Sequence, residues 1–385
     1  MSAGAVIAPG ATLGVLGGGQ LGRMFVHAAQ RLGYRCVVLD PDPDSPAGRV
    51  AERHLHADYL DERALDTLAT EAAAVTTEFE NVPALALRRL AERVPVAPAA
   101  SAVAICQDRA LEKALFVRCG VPCAPHAVID GESSLAAVPD ALLPGVLKTA
   151  QFGYDGKGQR SVDDRDQLAR AWHELGAVRC VLERRLDLAL EISVVLARGA
   201  GADAAVSYPP FRNLHREGIL AITLWPAPRL DDALARAADA AASTIAQALD
   251  YVGVLCVEFF VDRGGTLYAN EMAPRPHNSG HCTIDACDAS QFEWQVRAMA
   301  GLPLPAPRVH SSAVMLNLLG DLWRDGAAPA WEGVLALPGA HLHLYGKRQA
   351  RPGRKMGHLT LTAASATAAE TLAREAAQRL GLAAW

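Results

Sequence analysis

The chain has 385 residues, 51% of them apolar and 21% charged, with a net charge of −5. That length predicts two or three domains with well-filled cores, in a composition ordinary for a soluble globular protein. So small a negative charge gives no support to a nucleic-acid or membrane-surface role, and no run is long and apolar enough to span a bilayer. Eight scattered cysteines form no Cys-x-x-Cys pair and read as reduced thiols of a cytosolic protein. Residues 1–22 carry no charge, but they lack a basic start and are broken by Pro9 and glycines, so no targeting signal is expected.

Residues 12–16 read as a buried strand, followed by Gly17-Gly18-Gly19-Gln20-Leu21-Gly22 and apolar residues at helical spacing. A second strand, Arg35–Leu39, ends at Asp40. A glycine turn at a helix N-terminus favours an anion, and Gly17, Gly19, Gly22 and Asp40 fit a dinucleotide fingerprint. A dehydrogenase is therefore open at this point. The strand Ala74–Phe79 brings Glu78 to the C-terminal end of a sheet, where ligands bind. Asn81 before Pro83 is explained by helix capping, but Glu78 is not.

Residues 101–119 read as one helix carrying Gln107, Asp108 and Arg109. A second unit begins near residue 121. Its strand Val146–Lys148 ends in a lysine beside Gly153-Tyr154-Asp155-Gly156-Lys157-Gly158-Gln159, a flexible basic loop suited to folding over phosphates. The spacing is not that of a Walker A loop. A helix over Asp166–Gly176 and a strand over Cys180–Glu183 follow; on the next strand Glu191 and Ser193 share a face. Residues 208–218 read as a polar connection, Ile219–Leu224 as a strand and Asp231–Leu249 as a structural helix.

Two β-rich runs flank Gly264-Gly265. A two-residue turn there sets Arg263 opposite Thr266 and, counting back, Glu258 opposite Glu271. Their Cβ atoms then lie roughly 5 Å apart. Facing carboxylates call for a cation, and oxygen-only ligands suit Mg²⁺. The strands are too apolar for the hairpin to be exposed on both faces. Arg275, His277 and Asn278 follow in a loop stiffened by Pro274 and Pro276. Residues 302–307 read as a linker, and Ala313–Leu318 as a strand. His341 and His343 share a strand face, a pattern more common in packing than in ligation. Lys347, Arg348, Arg351, Arg354 and Lys355 put five cations within nine residues, either a solvated hairpin or a cradle for a small dianion.

The stretches 17–24, 78–82, 153–159, 213–220, 270–281 and 351–359 together resemble the ATP-grasp superfamily and, within it, the N5-carboxyaminoimidazole ribonucleotide synthetases. The resemblance implies an α/β and α+β chain. An N-terminal Rossmann-like pre-ATP-grasp domain (1–100) precedes an ATP-grasp domain (101–304, with a mobile subdomain at about 121–187), and a small β-rich C-terminal domain (305–385) follows. It implies ATP and Mg²⁺ as cofactors, bicarbonate and aminoimidazole ribonucleotide as substrates, a homodimer in the cytoplasm, and no nucleic-acid or membrane partner. Arg109, Lys148 and the loop Gly153, Tyr154, Asp155, Gly156, Lys157, Gly158 and Gln159 would hold the ATP phosphates. Glu183, Arg184, Arg185 and Leu186 would hold adenine through the strand edge, and Glu191 the ribose, with His215 and Asn270 nearby. Glu258 and Glu271 would hold the metal. Asp155, Arg275 and His277 would be catalytic. Gln20, Leu21, Glu78, Asn278, Lys347 and Arg354 would complete the substrate pocket. The alternatives are a formate- or biotin-dependent ATP-grasp ligase and, more remotely, an NAD-dependent dehydrogenase, which has no use for the glutamate pair or the second glycine loop.

Overall fold

The computed structural model describes residues 6–151, 153, 158–201, 205–323 and 326–385. The chain opens with β1 (Thr12–Leu16), α1 (Gln20–Arg31), β2 (Arg35–Asp40), β3 (Arg53–His56), α2 (Glu62–Glu71), β4 (Ala74–Thr77) and α3 (Ala84–Ala91). The four strands form a parallel sheet in the order β3-β2-β1-β4. Its continuous apolar strands are buried between helices, as a parallel sheet requires. The turns after β1, β2 and β4 therefore cluster at one edge, where the crevice lies.

Next come α4 (Ala100–Cys106) and α5 (Arg109–Arg118). The single helix expected over 101–119 is broken because the Asp108 side chain accepts hydrogen bonds from the Ala110 and Leu111 amides and starts a new helix. A small unit follows, with β5 (His126–Ile129), α6 (Glu132–Ala136), β6 (Gly145–Thr149), β7 (Gln159–Val162), α7 (Arg165–Glu174) and β8 (Cys180–Arg184). Its antiparallel sheet runs β5-β8-β6-β7 over its own apolar core.

The rest of the chain builds a large antiparallel sheet. Its first strands are β9 (Leu188–Arg198), β10 (Val206–Ser207), β11 (Phe211–Arg216) and β12 (Ile219–Trp225). After α8 (Asp232–Ala248) come β13 (Gly253–Asp262), β14 (Leu267–Ala273), α9 (Thr283–Ala286) and α10 (Gln291–Ala300). The last part holds β15 (Ser312–Leu319), α11 (Trp331–Leu335), β16 (Ala340–Leu344), β17 (Lys355–Ala363) and α12 (Ala366–Leu380). The sheet order is β14-β13-β9-β11-β12-β15-β17-β16, with β10 on β9. The expected connection at 208–218 is in fact strand β11: Phe211 and Asn213 are buried within the sheet, and the positive φ angles of Glu217 and Gly218 turn the chain into β12. Strand β15 pairs directly with β12, so residues 305–385 extend this sheet rather than close one of their own.

Buried Gln295 on α10 links the first sheet to the large one. Its amide nitrogen donates to Thr76 Oγ1 at 3.0 Å and the Ala97 carbonyl at 3.2 Å, while its oxygen accepts from the Val254 amide at 2.6 Å. Among the described residues, no helix is long and apolar enough to cross a membrane.

Candidate active site

The glutamate hairpin delivers its two carboxylates by a different route from the one expected. The tip is a three-residue Arg263-Gly264-Gly265 loop: the Gly265 amide donates to the Asp262 carbonyl at 3.0 Å and the Asp262 amide to the Thr266 carbonyl at 3.1 Å. Gly265 takes φ +80°, as the last position of such a loop requires. The longer loop shifts the register by one, so Phe259 faces Ala269. A bulge at Asn270 then shifts it back, and Glu258 faces Glu271.

Each carboxylate already has a protein cation. His277 Nε2 lies 2.9 Å from Glu258, and Arg109 Nη1 lies 2.7 Å from Glu271. The facing pair therefore does not by itself require a metal. Burial alone would push the Glu271 carboxyl up, but Arg109, with Lys148 and His277, outweighs it and holds it at about 2. Burial opposes the charged form of His277 too, yet Cys256 and Glu258 raise it to about 10. The donor set still fits Mg²⁺: two facing carboxylates, with the buried Asn270 Oδ1 beside them lacking a hydrogen-bond partner among the described residues.

A cationic cluster lies next to the pair. Glu183 is buried between Lys148 Nζ at 3.2 Å and Lys113 Nζ at 3.4 Å. Burial disfavours its charge, but Lys148 and then Lys113 hold it at about 2. Lys113 also donates to the Asn270 carbonyl at 2.8 Å. Glu112 accepts from the Met272 amide at 2.6 Å and is pushed up to about 8, by burial first and by the Glu271 charge second. That shift favours its neutral form. Three cations (Arg109, Lys113, Lys148) then face two carboxylates (Glu183, Glu271), an excess of one positive charge suited to a polyphosphate. Arg109 is fixed in this cluster through its backbone amide as well, which donates to the Ala150 carbonyl at 2.9 Å.

Glu183 is not at a strand edge: β8 is paired on both sides, with His126 and with Val146. Its side chain organises the lysines instead. Arg184 is exposed at the end of β8, Arg185 makes an ion pair with Asp163 at 3.2 Å, and Leu186 lies past the strand. Of the glycine loop, the Gly153 carbonyl accepts from Arg109 Nη2 at 3.4 Å, Gly158 takes φ +71° with its carbonyl bound to the Thr149 amide at 2.8 Å, and Gln159 pairs with Lys148 across β6 and β7. Tyr154, Asp155, Gly156 and Lys157 lie outside the described residues. Glu191 on β9 meets His215 Nδ1 on β11 at 2.8 Å.

The first glycine turn is not open to a ligand anion. Its anions are the protein's own: the Gly18 amide donates to Asp40 at 2.6 Å, and the Gly19 and Gly22 amides donate to Glu78 at 2.8 and 3.0 Å. A Cβ on Gly19 would come within 2.3 Å of Glu78, so glycine is needed there for the carboxylate to approach. Burial pushes the Glu78 carboxyl up. The occupied turn removes the basis for a dinucleotide site. Gln20, Glu78, Asp40, Tyr59, Lys347 and Arg354 instead line a cleft of about 220 Å³. The basic turn thus closes over the crevice of the first sheet, with Arg348 bound to Asp44 at 2.6 Å. Leu21 does not join them. Its apolar side chain lies on the buried face of α1 with Val15 and Phe25.

Arg275 is ion-paired with Glu80. Asn278 is 8% exposed, and neither amide atom has a partner among the described residues, an arrangement suited to a ligand contact. His277 Nδ1 lies 2.9 Å from Ser279 Oγ. Behind it Ser193 donates to Ser279 at 2.7 Å, Asn213 to Ser193 at 3.0 Å and Thr223 to Asn213 at 3.1 Å. This buried chain holds the histidine from β9, β11 and β12. Sequence reasoning missed it, along with Lys113, Glu112 and Glu80. The signal for Lys113 was a second cation four residues after Arg109, on the same helix face.

Comparison with known proteins agrees with this geometry. Residues 10–107 match the ribonucleotide synthetase preATP-grasp domain, 114–292 the ATP-grasp domain and 313–372 the phosphoribosylaminoimidazole carboxylase C-terminal domain. The N5-carboxyaminoimidazole ribonucleotide synthase of Brucella melitensis is 45% identical, over 91% of this chain and 96% of its own. That of Bacillus subtilis is 38% identical over 92% of each chain. The Aspergillus clavatus enzyme, solved with ADP and 5-aminoimidazole ribonucleotide, superposes with a TM-score of 0.88 at 33% identity, covering 96% of this chain and 98% of that one. The chain therefore belongs to the N5-carboxyaminoimidazole ribonucleotide synthase family of ATP-grasp ligases.

Proposed function

We propose that the chain joins bicarbonate to the 5-amino group of 5-aminoimidazole ribonucleotide in a reaction driven by ATP, a step of purine biosynthesis. Bicarbonate oxygen takes the γ-phosphoryl group, releasing ADP. The amine then attacks the carboxyl carbon of carboxyphosphate, or the CO₂ it releases, so that phosphate leaves and the N5-carbamate forms. What carries this reading is the cationic cluster beside the facing glutamates, together with the cleft under the basic turn, whose Glu78 lies near Arg275 of the loop after the hairpin.

Arg109, Lys113 and Lys148 bind and align the ATP phosphates, with Gly153–Gln159 as the covering loop, and Glu191 with His215 takes the ribose. Phosphoryl transfer needs such positioning more than covalent help. Glu258 and Glu271, with Asn270 beside them, would hold Mg²⁺, which when bound neutralises charge on the phosphate oxygens. Lys347 and Arg354 bind the 5′-phosphate of the ribonucleotide, while Gln20 and the Glu78 end of the cleft face its sugar and base. Arg275, His277 and Asn278 orient bicarbonate between the two substrates, and Asp155 takes the amine. A homodimer in the cytoplasm completes the proposal.

The test is ADP release with each acceptor omitted in turn. Full turnover is expected only with bicarbonate and aminoimidazole ribonucleotide together. Release that depends instead on formate or biotin, or a change in nicotinamide absorbance, overturns the assignment.

A further inference from the structure

A second group of ligand-type side chains lies outside the active site, where α9 meets the last strands. His343 and His358 are direct cross-strand partners on β16 and β17, with rings stacked 4.4 Å apart. Asp285 on α9 reaches His343 Nε2 through Oδ2 at 2.9 Å. The three side chains offer ligand atoms that all lie within 4.8 Å of one another. An ordinary Asp–His ion pair explains only part of this. His358 is fully buried; its Nδ1 is 2.9 Å from the Tyr345 hydroxyl, and its Nε2 has no hydrogen-bond partner among the described residues. A buried ring nitrogen left in that state is costly unless something binds it.

We propose that Asp285, His343 and His358 form a binding site for a transition-metal ion of the zinc class. Two imidazoles and one carboxylate suit zinc better than magnesium, which prefers an all-oxygen shell. Metal binding takes the tautomer in which Nδ1–H of His358 donates to the tyrosine oxygen, leaving the Nε2 lone pair for the metal, the usual way a protein orients a ligating histidine. Burial also keeps His358 uncharged. Donors bonded to zinc at roughly 2.1 Å stand about 3.4 Å apart, so the partly exposed His343 ring would turn out of its stack on buried His358 to bring both ring planes onto one ion. A water completes four-coordination. The ion would clasp α9 to β16 and β17 just before the basic turn of the substrate cleft.

The test uses the full untagged chain, stripped with chelator and held in excess Mg²⁺ so that the active-site glutamates are saturated. Zn²⁺ is titrated by calorimetry, and Co²⁺ by visible absorption. One equivalent per chain, the intense cobalt spectrum of a four-coordinate site and a Tm rise of about 5 °C are expected. Asp285→Asn and His343→Gln, both at partly exposed positions, should weaken binding at least tenfold with unchanged circular dichroism. Absence of stoichiometric binding to the folded wild type overturns the site, as does either variant binding as tightly as the wild type. Should a variant fail to fold, X-ray absorption of the zinc-loaded wild type decides: two imidazoles in the shell support the site, and an all-oxygen shell rejects it.

Discussion

At the scale of single residues, the site is built from charges whose burial is offset by partners. Glu271 and Glu183 are both held at about 2, below their ordinary 4.5, while Glu112 is pushed up to about 8. The signs differ. Glu183 and Glu271 contribute stability that is present above pH 4.5 and lost as pH falls through about 2. Glu112 contributes stability that is present below pH 4.5 and lost as pH rises through about 8. Glu112→Gln should therefore flatten the decline between those two values when urea midpoints are measured across pH. The acid limb should remain. In the substrate cleft, Lys347→Ala and Arg354→Ala should each raise the KM for aminoimidazole ribonucleotide. Loss of one charge-assisted contact should cost about 1.5–3 kcal/mol in kcat/KM, with the KM for ATP nearly unchanged. A fall in ATP affinity instead would mean that this pocket holds the other phosphate.

At the scale of elements, the hairpin shows how two local departures restore a functional register. The three-residue tip and the bulge at Asn270 cancel, so Glu258 and Glu271 meet although the strand between them is one residue out of step. Deleting Asn270 removes the bulge but leaves Glu271 the next residue after Ala269, still opposite Glu258, so the pairing should survive. Inserting one residue after Asn270 should instead turn Glu271 to the opposite face and abolish bicarbonate-dependent ADP release, whereas Asn270→Ala keeps the register and should retain measurable turnover. At the tip, a Cβ on Gly265 would meet nothing within 4 Å, so Gly265→Ala isolates the cost of its positive φ. That cost should be about 1–2 kcal/mol in the unfolding free energy, with no change in KM.

At the scale of the whole molecule, the large sheet is continuous across the boundary that the linker suggests. Strand β15 pairs with β12, and Ile222 and Leu224 share a core with Val314, Leu316 and helix α12. A chain ended at residue 304 should therefore expose an unpaired strand edge and that apolar face. It should be recovered mostly as aggregate by size-exclusion chromatography, and none of it should show the cooperative melting of the full chain. The sequence by itself determined the elements whose signals are local. The glycine turn, the lysine-ended strand and the basic turn follow from side-chain period and turn chemistry, whereas the Glu258–Glu271 pairing, expected from a two-residue turn, arises from a three-residue tip offset by a bulge. Only the tertiary structure decided what each group faces. Glu78 and Asp40 fill the glycine turn that looked ready for a ligand, Lys113 and Lys148 converge on Glu183 from different elements, and β11 becomes a central strand despite its polar composition. The physical reason is that pairing and burial of charge depend on contacts between residues far apart in the chain, such as Arg109 with Glu271, which no local pattern encodes.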